Sequence, residues 1–183
     1  MPVSNKQYIH VYSNIAEITE LQPIHLAVTQ HGLAMLRYGI TQKSFITILE
    51  HKFRGSKISV NPGAHIVIRQ IDEYLQGTRK QFFHNLDLRN CSKFQRLVLK
   101  QVLHIPYGQT TTYQSIGQSI GNPKASRAIG VALSNNPLPI VVPCHRVIHA
   151  NGNIGGYLGS QHNKTKICPV SYTHLTLPTN REV

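Results

Sequence analysis

The sequence predicts an α/β N-terminal unit followed by a mainly helical C-terminal unit containing a helix-turn-helix. Three observations carry this. Short runs that alternate apolar and polar residues fill much of the first 89 residues. Beyond them come segments of helical periodicity, each with capping residues or a glycine stop. The charge changes at the same place. Of seven Asp and Glu, six (Glu17, Glu20, Glu50, Asp72, Glu73, Asp87) precede residue 90, and none falls between Asn90 and Asn180.

The elements follow in order. "QYIHVYSN" and "IHLAVTQHGLAMLRYG" alternate as strands do, with Gly32 as a hairpin-like turn between two runs. "AHIVIRQIDEYLQG" places Ile66, Ile68, Ile71 and Leu75 near helical spacing, and Gly77 stops it. "KQFFHNLDL" reads as one more strand. In "CSKFQRLVLKQVLHI", Phe94, Leu97, Val98 and Val102 share a face, and Ser92 with Gln95 fits a capping box. "TTYQSIGQSIG" predicts a short helix, boxed by Thr111 and Gln114 and stopped at Gly121. "NPKASRAIGVALSNN" predicts the next, capped by Asn122 with Pro123 in its first turn. A short helix, a Gly-Asn turn and a helix of small residues outline a helix-turn-helix. These elements divide the chain into 1–89, 90–167 and a tail of altered composition at 168–183.

The 183 residues suffice for one generous domain or two small ones. No apolar run approaches a membrane span, and "MPVSNKQYIH" lacks a signal-peptide core, so a cytoplasmic location is expected, or a nuclear one in a eukaryote. No membrane and no obligate protein partner are expected. Cys91, Cys144 and Cys168 form no C-x-x-C pair, which argues against a disulfide framework or a cysteine-rich zinc site. His10, His25, His31 and His84 match no closed metal site, and no metal is expected. Nineteen Lys and Arg against the seven acids give a formal charge of +12. The acid-free segment carries Lys93, Arg96, Lys100, Lys124, Arg127, Arg146, Lys164 and Lys166, which points to nucleic acid as the partner.

The stretch "VPCHRV" sets Cys144, His145 and Arg146 side by side: a nucleophile, its base and a phosphate contact, or a buried thiol with two surface neighbours. Ile140-Val141-Val142 reads as a buried strand leading to Pro143. Neighbouring side chains of an extended chain point to opposite faces, so Cys144 and His145 need a turn in the backbone or a bridging water to exchange a proton.

Taken together, "IPYGQTTTYQSIG", "GNPKASRAIG", "NNPLPIVVPCHRVIHANG" and "GGYLG" closely resemble the O6-alkylguanine-DNA alkyltransferases, the methylated-DNA–protein-cysteine methyltransferases. The match runs nearly without gaps from Phe94 to Gly159, and "EYLQGTRKQF" is similar to the family's N-terminal domain, which the resemblance implies is ribonuclease H-like. The resemblance implies that Cys144 accepts the alkyl group and that His145 is its water-mediated base. Tyr113 stands where the family protonates the departing guanine, and Arg127 where an arginine fills the gap of a flipped nucleotide. Lys124, Ala125, Ser126 and Arg96 are the further DNA contacts expected. Asn136, Val147, Tyr157 and Gly159 match the base pocket. The implied reaction is a single-turnover transfer of methyl or small alkyl groups from O6 of guanine, with O4 of thymine as a second substrate, in double-stranded DNA. It requires no cofactor.

Two departures stand out. The family's glutamate that orients the histidine maps to Ser171, and Ser160 with Gln161 replace a usual glycine and apolar residue. The missing glutamate keeps an alternative open: a lesion-binding relative with little transfer. A third reading is a helix-turn-helix transcription factor with an incidental thiol.

Overall fold

The computed structural model describes residues 7–14, 23–63 and 65–153. The chain folds into two compact units. The first comprises Met1–Glu73 with Phe82–Asn90, and the second Tyr74–Gln81 with Cys91–Val183. Charge and periodicity predict a single cut at 89/90. The structure instead assigns the end of one helix and the loop after it to the second unit.

In the first unit, β1 (Tyr8–Asn14), β2 (Ile24–Thr29), β3 (Gly32–Tyr38) and β4 (Lys57–Val60) form a sheet in the order β3-β2-β1-β4. β1 and β3 run antiparallel to β2, while β4 runs parallel to β1. The parallel pairing needs a crossover. It is supplied by α1 (Gln42–Lys52), which the strand-and-turn reading of the sequence passed over. Its β-branched Ile46, Thr47 and Ile48 weaken the helical signal. Its start is nonetheless conventional, with the Thr41 side chain accepting from the Ser44 amide at 3.2 Å. Phe45, Leu49 and Phe53 pack on Ile9, Val11, Ala27 and Met35, the sheet face selected by the strand alternation. The other face carries Ile24, Leu26 and Leu36, also fully buried. α2 (Ile66–Leu75) ends where predicted, with Gly77 at φ +76° and its amide bonded to the Tyr74 carbonyl.

The segment expected as a strand, "KQFFHNLDL", makes only an isolated bridge between Leu33 and Leu86. The reason lies at Gly32. The segment crosses so close that a β-carbon at Gly32 would lie 2.2 Å from the Asn85 carbonyl oxygen. Side-chain bonds then replace ladder bonds. Asp87 accepts from the Thr29 hydroxyl at 2.6 Å and from Arg89 at 2.8 Å through both carboxylate oxygens.

In the second unit, α3 (Lys93–Leu103), α4 (Tyr113–Ser119) and α5 (Ser126–Ser134) pack against one another. β5 (Thr111–Thr112) pairs in parallel with β6 (Val147–Ile148). The buried face of α3 is Val98, Leu99 and Val102, whereas Leu97, expected on that face, is 48% exposed. Gln95 explains the rotation. Its amide donates to the Ala132 and Asn135 carbonyls at 3.2 and 3.0 Å, satisfying acceptors at the end of α5. Ser92 does cap α3, but Gln95 is thereby drawn away from the reciprocal half of the box.

Two other caps shift. Thr112, not Thr111, caps α4 through the Ser115 amide at 3.0 Å. α4 closes in a Schellman motif: Gly121, at φ +71°, donates to the Gln118 carbonyl and Asn122 to that of Gly117. Asn122 is thereby consumed in ending one helix and does not cap the next, which begins at Ser126 after a turn.

Two titrations of the first unit follow. His25, 1% exposed, donates from Nε2 to the Ile40 carbonyl and accepts at Nδ1 from Ser13. Burial lowers its pKa below 6.5, and burial lowers those of His65 and His84 likewise. These histidines take up protons more readily when unfolded, so their stabilisation is present above pH 6.5 and is lost as pH falls through the folded values. Thermal melts should show a lower midpoint at pH 5.5 than at 7.5, and His25→Gln should flatten part of that slope.

Asp87 behaves oppositely in origin. Burial pushes its carboxyl up, but hydrogen bonds from Arg89 and Thr29 outweigh this and hold it at about 2. Relative to 3.8 this stabilises the fold by on the order of 2 kcal/mol, present above pH 4 and lost as pH falls through about 2. Asp87→Asn should cost about that much in urea unfolding at pH 7.

Candidate active site

All the described candidate site residues lie in the second unit. After α5, Asn135 ends the helix and Asn136 turns its side chain into the interior, where it is 0% exposed. Its Oδ1 accepts from the Leu138 amide at 2.9 Å. Its Nδ2 donates to the Val142 carbonyl at 3.0 Å and to Cys144 Sγ at 3.1 Å. The span between is not the strand expected from Ile140-Val141-Val142. Ile140 sits at φ +74°, a strained conformation for a β-branched residue, and Val142 donates back to the Leu138 carbonyl. The loop thus folds onto the Asn136 amide instead of extending.

A 3₁₀ turn, Cys144–Arg146, follows Pro143. The turn supplies the backbone irregularity that an extended chain would have denied the Cys144–His145 pair. Cys144 is 5% exposed and His145 fully buried. His145 Nε2 lies 3.0 Å from the Tyr74 hydroxyl.

Arg146 is not a phosphate contact. It is 5% exposed, its Nη1 donates to the Ile105 carbonyl at 2.7 Å and its Nη2 to the Tyr74 hydroxyl at 3.0 Å. Its guanidinium lies 5.9 and 5.5 Å from the rings of Tyr74 and Tyr107. The delocalised, weakly hydrated guanidinium suits such a place better than an ammonium.

Tyr113 opens α4 directly after β5, and the β5–β6 pairing sets it beside the strand that leaves the 3₁₀ turn. Its ring stands 5.2 Å from that of His149. Burial and the neighbouring Cys144 charge raise its pKa, which keeps its proton available.

The expected DNA contacts separate. Arg127 and Lys124 are exposed, Arg127 in the first turn of α5 with Val131, 63% exposed, one turn on. Ser126 is half-buried. Ala125 is 8% exposed, buried as the residue that flanks the start of α5, so its methyl is not offered to solvent. Arg96 Nη1 donates to the Cys91 carbonyl at 2.8 Å. Val147 is fully buried behind the turn. Tyr157, Gly159, Ser160, Gln161, Ser171 and the tail 168–183 lie outside the described residues.

Sequence reading missed Tyr74 and Tyr107. Tyr74 falls on the buried stripe of α2, where any large apolar residue reads the same. The described part of this unit holds Arg79, Lys80, Lys93, Arg96, Lys100, Lys124, Arg127 and Arg146 and no Asp or Glu. Among the described residues no three His, Cys, Asp or Glu are grouped to hold a metal, and no helix is long and apolar enough to cross a membrane.

The chain is similar to known proteins in sequence and in fold. Residues 93–168 match the family model described as 6-O-methylguanine DNA methyltransferase, DNA binding domain. The methylated-DNA–protein-cysteine methyltransferase of Methanosarcina barkeri is 44% identical over 147 residues, 80% of this chain and 88% of that protein. Its counterpart in Mycobacterium bovis is 41% identical over 122 residues, covering 65% and 73%. The crystal structure of Mycobacterium tuberculosis OGT in complex with DNA superposes with a TM-score of 0.72 at 33% identity, over 90% of this chain and 92% of that one. With a relative this similar across most of its length, the chain belongs to the methylated-DNA–protein-cysteine methyltransferase family.

Proposed function

We infer that the protein repairs alkylated DNA by direct reversal, moving a methyl or small alkyl group from O6 of guanine to Cys144. The observation that carries the choice of Cys144 is its buried thiol, held at 3.1 Å by the Asn136 amide at the end of a strained loop. A neutral N–H donor aimed at sulfur favours the thiolate, the form that attacks. Cys91 is only half-buried and lies just before α3, outside this loop.

The reaction balances without a cofactor. His145 takes the thiol proton, through a water. The S–C bond forms as the bond from carbon to O6 breaks, and the electron pair of that bond stays on guanine. Tyr113 supplies the proton that guanine then needs, and its raised pKa keeps the phenol neutral until that moment. The product is a thioether, which does not hydrolyse, so each molecule acts once. O4 of thymine offers the same alkyl–oxygen bond and is a second substrate under this reading.

A base edge inside a duplex is out of reach of a buried thiol, so the nucleotide must be rotated out at a cost of a few kcal/mol. Double-stranded DNA is the proposed partner, with α4 and α5 as a helix-turn-helix and α5 as the element in the groove. The tight Schellman turn between them and the exposed Arg127 and Val131 on α5 support this. Arg127 fills the vacated stack and Lys124 contacts phosphate. The antiparallel β3-β2-β1 hairpins, with β4 added in parallel after a helix, support reading the first unit as ribonuclease H-like.

Incubation with duplex DNA carrying O6-methylguanine should add one methyl mass to the peptide that contains Cys144, and Cys144→Ser should abolish it. Tight binding without that mass would favour the lesion-binding alternative, and methyl on Cys91 would overturn the mechanism.

Arg127→Ala should slow transfer from duplex DNA by about tenfold or more, as expected for weakened extrusion, with free O6-benzylguanine much less affected. Single-turnover rates on both substrates check this. Equal loss on the two would assign Arg127 to the fold.

A further inference from the structure

The imidazole beside Cys144 needs a partner that fixes its ring, because an unrestrained histidine exchanges between two tautomers. A carboxylate commonly fills that role. The described part of this unit has none, since residues 74–81 and 91–153 include no Asp or Glu. The structure puts a phenol there instead. Tyr74 is fully buried, and its hydroxyl lies 3.0 Å from His145 Nε2 and 3.0 Å from Arg146 Nη2.

The chemistry of the three groups orders these bonds. A guanidinium can only donate, so the phenol oxygen accepts from Arg146, and its second lone pair can accept from His145 Nε2–H, the tautomer that leaves the Nδ1 lone pair to take the thiol proton. Arg146 is itself held, by the Ile105 carbonyl at 2.7 Å and by the faces of Tyr74 and Tyr107. A chain of contacts thus starts on the backbone at Ile105 and ends on the ring next to the thiol.

We infer that Tyr74 is a positioning residue for alkyl transfer, its hydroxyl fixing the ring and tautomer of His145 from Nε2. The inference rests on Cys144 as the alkyl acceptor and places Tyr74 one hydrogen bond behind His145. The titratable and charged groups around the pair include Arg146 and Tyr107, with Lys80 5.9 Å from the Tyr107 ring, and α2 itself carries Asp72 and Glu73 just before Tyr74. Burial raises the pKa of Tyr74 against the opposing pull of Arg146, so the phenol works as a neutral hydrogen-bonding group.

The test uses the full chain as wild type, Tyr74→Phe, His145→Gln and the double variant. Methyl transfer from O6-methylguanine duplex and alkylation of Cys144 by iodoacetamide are followed against pH, with thermal midpoints alongside. Tyr74→Phe should slow transfer about tenfold near pH 7, the size of one lost hydrogen bond, and displace the alkylation profile to higher pH. In the His145→Gln background it should add nothing further. An unmoved profile, or an equal effect in that background, overturns the inference and leaves Tyr74 a packing residue. The ring nitrogens of His145 give a second readout in ¹⁵N NMR. A single tautomer in the wild type is expected, and free averaging there overturns the inference even if Tyr74→Phe does not fold. If the wild type transfers no methyl while the iodoacetamide profile still shifts, the repair reading fails and the positioning role stands.

Discussion

One buried amide organises the reactive end of this molecule. Asn136 has no exposed surface, and both donors and the acceptor of its side chain are engaged with a loop carbonyl, a thiol and a loop amide. A carboxylate of the same shape would set acceptors against the Val142 carbonyl and the sulfur, leaving buried polar atoms opposed. An apolar side chain would leave the loop amide and carbonyl without partners. Only an amide satisfies both directions at once. The strain at Ile140 is tolerated because the loop is tied at both ends, by Asn136 and by the Val142–Leu138 bond. The thiol is therefore delivered by a rigid turn and not by a mobile surface loop.

Around that turn the electrostatics are one-sided. The described second unit has eight cationic side chains, from Arg79 to Arg146, and no acid, so no described carboxylate of this unit offsets the field that a polyanion would meet. Among them Arg146 is the one buried beside the thiol. Burying a guanidinium without a carboxylate is costly unless its donors and its face are both occupied. Here a carbonyl takes Nη1, a phenol oxygen takes Nη2 and two aromatic rings flank the guanidinium, while Nε has no hydrogen-bond partner among the described residues. The same phenol reaches His145, so the groups that make Arg146 tolerable also restrain the proposed base.

The first unit solves a different problem. Strands β2 and β3 of its sheet are buried on both faces, and the segment after α2 crosses β3 at a glycine instead of pairing along it. Where backbone pairing stops, Asp87 takes over, linking Thr29 of β2 to Arg89. Buried carboxylates are stable only with such donors around them, which is why this acid is held so far below its usual range.

Much was legible in the sequence. Strand alternation marked β1 to β3, glycines marked the hairpin and the ends of α2 and α4, and the motif around Cys144 singled out the thiol. The absence of carboxylates from Asn90 to Asn180, which underlies the expectation of a nucleic-acid partner, is a property of composition alone. What the sequence did not decide were features whose cause is a distant partner. Leu97 faces outward because Gln95 is needed at the end of α5, some 40 residues away. Asn122 does not cap α5 because it closes α4 and the chain makes a further turn before α5 begins at Ser126. Residues 140–142 read as a strand by apolar content, yet they turn because Asn136 binds the Val142 carbonyl from inside. Arg146 reads as a surface cation, and Tyr74 as one more apolar position on α2, until the fold brings them within 3.0 Å of each other across 72 positions of chain. Periodicity and caps are local, so they are written in neighbouring residues. The orientation of a buried polar group depends on whichever donor or acceptor the folded chain carries to it, and that only the tertiary structure decides.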